Sequence, residues 1–531
     1  MTIGLLYVAL YFMNQSLFQR LLDFYHINEE DYQKLVAPVS ANSFASGHQF
    51  THINEALQLV NDVMANNGKI CIYGDYDADG IMGTSILVKM FEYKNYHVDY
   101  YIPSRYIDGY GLTLNKAQEA IEKGVNLMIC VDNGVSAFEP IKLLKDNGVK
   151  VLVLDHHEIQ EELPVADVIL HPTFDHFGET ASSGAFVAFN FSRAFLGRFD
   201  KYLSTLASVS LISDMMPILE YNRELLRIVF SNYREGEFLQ FDLLKENEAF
   251  NETTIGMKIA PKINSIGRIY TDTSVNLLVK FFVSDIKEEI LHYIDWINET
   301  NENRKTISKD AVNQDLEIDE NEKAIVYITD AKEGILGLIA NNLLNKYGLP
   351  VVVLTKDEEK GFYKGSARAP EGFSIVDAFN SCQELTVAAG GHASAGGCTV
   401  PIENLDAFKK AFIDFANSHP IKAVENPSIE LHINEITMEN YQLINSFGPF
   451  GECWPNPLLL MKHISTKSLF FSRTREHIFT QIGQKSRIVG FNFSFDYVRQ
   501  YQFINMEGIL RQNTFNGITN LEFFIKKIQS C

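Results

Sequence analysis

A chain of 531 residues, 46% hydrophobic and 21% charged, has room for roughly two to four globular domains with sizeable cores. That composition excludes a largely disordered, collagenous or disulfide-scaffold protein. The net charge of −21 is uneven: Pro455–Cys531 carries ten Lys/Arg against four Asp/Glu, a local +6, leaving −27 on the first 454 residues. Electrostatics acts locally, over about 8 Å at physiological salt, so an acidic body with a basic tail can still hold a nucleic acid. The six cysteines (71, 130, 382, 398, 453 and 531) form no CxxC pair, which argues against a zinc ribbon or redox dithiol and for reduced cytosolic thiols.

In chain order, the apolar start MTIGLLYVALYFM is too short to span a bilayer and lacks a signal peptide's basic start and cleavage site. It reads as a packing segment or a misassigned start, and the protein as cytoplasmic with no membrane contact. Short β-branched runs then alternate with helix-like stretches: strands are predicted at 69–73, 98–102, 127–131, 149–154 and 167–170. This is the pattern of a parallel, doubly wound sheet. A helical stretch runs to about residue 235, and a long polar helix and acidic linker are expected between Asp272 and about Glu322. A second α/β unit starts at AIVYIT (324–329), continues through PVVVLT (350–355) and reaches GGHASAGG (390–397). The last hundred residues show short alternating Thr/Ser/Phe/Tyr runs, expected to form a small antiparallel sheet or barrel.

Chemistry concentrates where the first strands end. Asp75, Asp77 and Asp79 follow the first strand; Asp132-Asn133-Gly134 follows the third; Asp155-His156-His157 follows the fourth. In a parallel sheet these ends open onto one edge, where ligands bind. Asp214, in SLISDMMP, lies farther on in a helical context. Alone, a DxD loop is most often a turn or helix cap and DNG a turn; three strand ends on one sheet edge are not explained that way. Crowded carboxylates repel unless cations compensate, and a mixed Asp/His set suits Mn²⁺, Mg²⁺ or Zn²⁺, the absence of Cys arguing against structural zinc.

DYDADG, DNG, DHH and SDMMP resemble the four motifs of the DHH phosphoesterase superfamily, and more specifically those of the RecJ single-strand-specific exonucleases. YIPSRYIDGYGL (101–112), SSGAFVAF (182–189), MMPILEYNRELLR (215–227) and APKINSIGR (260–268) extend the likeness. KGSARAPEGFSIVDAF (364–379) and GGHASAGG resemble the DHHA1 domain, and PFGECWPNP (449–457) the start of an OB-fold. The resemblance implies an N-terminal segment (1–50), a parallel DHH catalytic domain (51–271), and a connecting helix and linker (272–322). An α/β DHHA1 domain (323–424) and an OB-like β-barrel (425–531) follow.

It also implies two divalent ions, Mn²⁺ or Mg²⁺. Asp77 and Asp132 would hold one, completed by Asp75; Asp79, Asp132, His156 and Asp214 would hold the other, with Asp132 bridging. Asp155 would orient His156, and His157 would face the phosphate. Where many superfamily members have a histidine ligand, this chain has Tyr73, leaving the first site fewer ligands. Arg105, Arg268, Ser366, Arg368 and His392 match positions that contact nucleic acid.

In the tail, Phe470, Phe471, Phe479, Phe491, Phe493 and Tyr497, with Arg473, Arg475, Lys485, Arg487 and Arg499, suit base stacking and phosphate tracking. About half of these aromatics are expected in the barrel core. The implied activity is 5′→3′ hydrolysis of single-stranded DNA to mononucleotides in repair and recombination. The implied partners are single-stranded DNA, single-stranded-DNA-binding protein and recombination helicases, with the enzyme a monomer. The alternative is a phosphodiesterase for short oligonucleotides or cyclic dinucleotides, whose known DHH-DHHA1 examples lack such a tail.

Overall fold

The computed structural model describes residues 16–531 except 161, 176, 179–180, 271, 314–320, 359, 423–426 and 516–517. The apolar start, and residues 314–320 of the expected acidic linker, lie outside the described residues. Those described fall into two compact units. One is drawn from Ala41–Met216 and Glu220–Val424, the other from Met1–Ser40, Pro217–Leu219 and Glu425–Cys531. No helix among the described residues is long and apolar enough to cross a membrane.

In the first unit, strands β1 (Ile70–Tyr73), β2 (Asp99–Tyr101), β3 (Leu127–Val131), β4 (Lys150–Leu154) and β5 (Val168–Leu170) form an all-parallel sheet in the order β2-β1-β3-β4-β5. All five residues of β3 are buried, as expected where both faces of a parallel sheet are covered. The strand order reverses between β1 and β3, and a crevice for ligands opens beyond the carboxyl ends at such a point. DYDADG follows β1 and DNG follows β3. The helix α1 (Ala78–Glu92) is apolar nearly all round and buried along all but its last residue, as a helix enclosed by its neighbours must be. It is packed by α2 (Gly184–Leu196) and α3 (Lys201–Ser213). Farther along come α4 (Ala260–Ile269) and the long helix α5 (Lys287–Asn313), which at 1.5 Å per residue extends about 40 Å.

The second sheet is mixed, in the order β6-β7-β8-β10-β9: β6 (Ile325–Ile328), β7 (Val351–Asp357), β8 (Phe362–Arg368), β9 (Ala388–Gly391) and β10 (Ala395–Pro401). Helix α6 (Glu333–Tyr347) shares one apolar core with Tyr327 and Val353; a separate core joins Val352 and Leu354 to Phe379, Phe408 and Phe412. The sheet is therefore covered on both faces, as in any three-layer α/β unit.

The other compact unit holds six strands in the order β11-β12-β15-β16-β14-β13: β11 (Ser428–Glu430), β12 (Leu458–Ser465), β13 (Ile478–Gln481), β14 (Ser486–Gly490), β15 (Phe503–Phe515) and β16 (Ile518–Ser530). The expectation of an antiparallel sheet holds for most pairs, but β11–β12 and β14–β16 run parallel. Leu17, Leu21, Leu22 and Tyr25 from an N-terminal helix join Leu459, Met506 and Phe523 in its core.

Candidate metal centre and nucleic-acid interface

The loop after β1 is shaped by its first carboxylates. Asp77 caps α1, its Oδ1 accepting from Asp79 N (2.9 Å) and Gly80 N (3.3 Å). The Asp79 side chain turns the other way, onto the N-terminus of α2. Its oxygens accept from Gly184 N and Ala185 N, both at 2.7 Å, and from Ser210 Oγ at 2.6 Å. A helix N-terminus favours a negative charge. Asp132, directly after β3, has φ +61°, a left-handed conformation that Asp tolerates better than most residues.

These turns make the strand ends converge. His156 Nε2 lies 3.1 Å from Asp132 Oδ1 and 3.5 Å from both Asp79 Oδ2 and Asp214 Oδ2. Three groups offer ligand atoms all within 4.8 Å of one another: Asp75–Asp77–Asp132, Asp79–His156–Asp214 and Asp132–Asp155–His156–His157. Asp132 and His156 each belong to two of the three.

Burial, then the Asp77 charge, pushes Asp75 up to about 8; burial, then Asp79, does the same to Asp214. Burial followed by Asp79 also raises Asp77 and raises Asp132 well above the usual carboxylate range. Asp75 Oδ1 and Asp214 Oδ2 are buried without a hydrogen bond. A carboxylate-rich set with one imidazole, and oxygens left unsatisfied, fits divalent cations with oxygen ligands.

The structure reassigns Asp155. Its Oδ1 accepts from His156 N (2.7 Å) and lies 2.8 Å from His157 Nδ1, while Oδ2 accepts from Val135 N (3.0 Å). The imidazole it orients is therefore His157, and His156 is left to face the acidic cluster. Burial opposes both charges of this pair, but their mutual hydrogen bond outweighs it: Asp155 falls to about 2 and His157 rises to about 9. Burial keeps the His156 pKa below its ordinary value. Tyr73 is buried and donates its hydroxyl to Gly111 O at 3.1 Å.

The expected phosphate-contacting arginines gather close by. Arg105 lies over the Tyr76 ring, 4.5 Å from its centroid, and so rests on the metal-site loop itself. Arg268 donates to Gly334 O (3.0 Å), and Arg368 to Ser366 Oγ (3.3 Å). Among the described residues, none of the three has a carboxylate within ion-pair distance. Burial, then the guanidinium groups of Arg105, Arg304 and Arg368, lowers Arg268 to about 10. Unpaired, partly buried cations call for an anion. His392 is exposed on the turn between β9 and β10; its N–H donates to Ala395 O at 2.7 Å, and Ala395 is the strand partner of Arg368.

Three family models match: the DHH family N-terminal domain over residues 69–212, the DHHA1 domain over 321–418 and the RecJ OB domain over 428–527. The single-stranded-DNA-specific exonuclease RecJ of Bacillus subtilis (strain 168) is 32% identical over 77% of this chain and 54% of its own length. The RecJ of Haemophilus influenzae is 31% identical over 78% of each. The chain belongs to the RecJ family. It thus spans about half of the first relative and over three-quarters of the second. Crystal structures of RecJ from Thermus thermophilus share the fold: in complex with Mn²⁺ the TM-score is 0.80 at 23% identity, covering 96% of this chain and 75% of that one. In complex with Mg²⁺ it is 0.72 at 22%, covering 94% and 72%.

Several residues at the cluster were not singled out from the sequence. Ser210 precedes Asp214 by one helical turn and serves Asp79; Tyr110 Oη lies 2.7 Å from His157 Nε2. Arg304 on α5 adds a fourth guanidinium. Gly184 is closely constrained: a Cβ there would stand 2.7 Å from both Cα and Cβ of Asp132. Gly184→Ala is accordingly expected to displace Asp132 and lower kcat by about a hundredfold, with a lower melting temperature. Initial rates and thermal melts check this; a wild-type rate would show that the contact relaxes.

In the RecJ OB domain, Phe471 and Phe493 pack against the core, whereas Phe470, Phe479, Phe491 and Tyr497 are exposed. Arg487 is not free for phosphate: it pairs with the fully buried Glu522, as does Arg511. Burying Glu522 without them would be costly. Arg511 also lies 3.6 Å from the Phe524 ring centroid, and Phe491 and Phe479 continue the aromatic surface.

Proposed function

We propose that the protein is a metal-dependent exonuclease that degrades single-stranded DNA from the 5′ end to mononucleotides, as the names of its relatives suggest for single-strand specificity. Domain boundaries near residues 51, 272, 323 and 425 belong to this reading, as does action as a monomer in DNA repair and recombination, alongside single-stranded-DNA-binding protein and helicases. The observation that carries it is the convergence of three ligand groups, two of which share Asp132 and two His156. Asp75, Asp77 and Asp132 would hold one divalent ion, and Asp79, Asp132, His156 and Asp214 the other. Two such ions lower the pKa of water and neutralise charge on phosphate oxygens.

The protein's own groups do the rest. Arg105, Arg268, Ser366 and Arg368 seat phosphates beside the cluster, since guanidinium forks offer paired donors. His157, kept protonated by Asp155, sets a positive imidazole beside the phosphate, stabilising charge as it develops. The exposed aromatics of the OB unit offer stacking surfaces for bases.

Degradation of end-labelled single and double strands, and of a dinucleotide, with Mn²⁺, Mg²⁺ or chelator tests the proposal. The expected result is 5′ loss from long single strands only, abolished by chelator. A preference for the dinucleotide would replace this reading with a short-oligonucleotide phosphodiesterase.

A further inference from the structure

The strand ends that carry chemistry do not stop at β4. The next strand, β5, ends in His171-Pro172-Thr173-Phe174-Asp175, and it lies beside β4 in parallel register, Leu154 opposite Leu170. The ladder continues one residue further, Asp155 N donating to Leu170 O at 3.2 Å. Beyond that point the two chains separate, and a side chain takes over. His171 Nε2 lies 2.9 Å from the main-chain oxygen of His157.

A carbonyl only accepts, so Nε2 carries the proton, and Nδ1 is left to face Phe174 N at 3.5 Å. This neutral tautomer satisfies both contacts at once. The histidine is itself fixed. It is 3% exposed, and its N–H donates to Asp175 Oδ2 at 2.9 Å. Asp175, 1% exposed, accepts through Oδ1 from His52 N at 3.0 Å, with His52 Nδ1 2.6 Å away. The imidazole therefore stands on a buried, hydrogen-bonded base tied to the start of another helix.

His157 is thereby held from three sides: Asp155 at Nδ1, Tyr110 at Nε2 and His171 at its carbonyl. We propose that His171 is a positioning residue that fixes the main chain of His157, and with it the place where the His157 imidazole meets the phosphate. The inference rests on the function proposed above, because it presumes that His157 acts on substrate. A support one step removed from the reacting groups is worth about tenfold to a hundredfold in rate.

The test compares kcat and KM for a long single strand with Mn²⁺ in wild type, His171→Ala, His171→Gln, His157→Ala and the His157→Ala/His171→Ala double variant. Glutamine keeps an N–H near the Nε2 position. His171→Ala is expected to lower kcat by about tenfold to a hundredfold with KM unchanged. His171→Gln should recover most of the loss, and the double variant should be no slower than His157→Ala alone. A wild-type kcat in His171→Ala, no recovery in His171→Gln, or an additive loss in the double variant would overturn the proposal. Undiminished kcat in His157→Ala would instead overturn the role of His157, and this inference with it.

Discussion

Replacing Asp132 with Asn is expected to lower the rate of single-strand hydrolysis by about a thousandfold while leaving strand binding intact. Asparagine is the informative substitute because it adopts the left-handed backbone that Asp132 occupies at φ +61° and matches the carboxylate in shape. What it removes is the charge shared by two ligand groups. The residues proposed to hold the strand lie elsewhere: Arg105 on Tyr76, Arg268 on Gly334 and Arg368 on Ser366. A second signature separates loss of chemistry from loss of fold. Burial and four neighbouring aspartates raise the Asp132 pKa well above normal, so its ionised form destabilises the metal-free protein. The metal-free variant should therefore melt no lower than wild type. Rates with Mn²⁺, filter binding of a long single strand and thermal melts suffice; an unchanged rate would remove Asp132 from the centre.

The convergence of this cluster was legible in the sequence because a parallel sheet delivers every strand's carboxyl end to one edge. Asp75, Asp132 and His156 needed only that rule. What each side chain then touches was not legible. Asp155 folds back on its own loop, binding the N–H of His156 and the imidazole of His157, and sequence proximity cannot choose between adjacent imidazoles. Gly184 and Ser210 reach Asp79 from helices more than a hundred residues away; without a pattern linking them, no spacing could find them. Arg487 read as a phosphate contact because its basic, aromatic surroundings are visible, whereas its partner Glu522 lies 35 residues on and is buried only once β14 and β16 pair in parallel. The domain sequence was legible from composition and motifs; strand direction in the tail was not, since alternation reports which face is buried, not which way a neighbour runs.

Divalent metal is expected to stabilise the protein more at pH 8.5 than at pH 6. In the metal-free fold, Asp75 and Asp214 are pushed up to about 8, against 3.8 for an ordinary Asp, first by burial and then by neighbouring carboxylates. Between those values the folded state binds more protons than the unfolded chain, so metal-free stability falls as pH rises through the window. A cation needs these groups ionised, and below pH 8 it must displace their protons. Apparent affinity for Mn²⁺ should therefore rise steadily from pH 6 to 8 and level off above. His156, its pKa lowered by burial, is held toward the neutral form that a cation needs. His157, raised to about 9 by Asp155, keeps its proton across the same range; its contribution to stability is full below its ordinary pKa and is lost progressively as pH rises from there to about 9. At a free metal concentration a hundred times Kd the gain amounts to about 2.7 kcal/mol. Melting curves at the two pH values, and calorimetric titration in buffers of different ionisation enthalpy, read the effect and count the protons released. Equal stabilisation at pH 6 and 8.5, with no proton released at pH 6, would mean that cations bind away from Asp75 and Asp214.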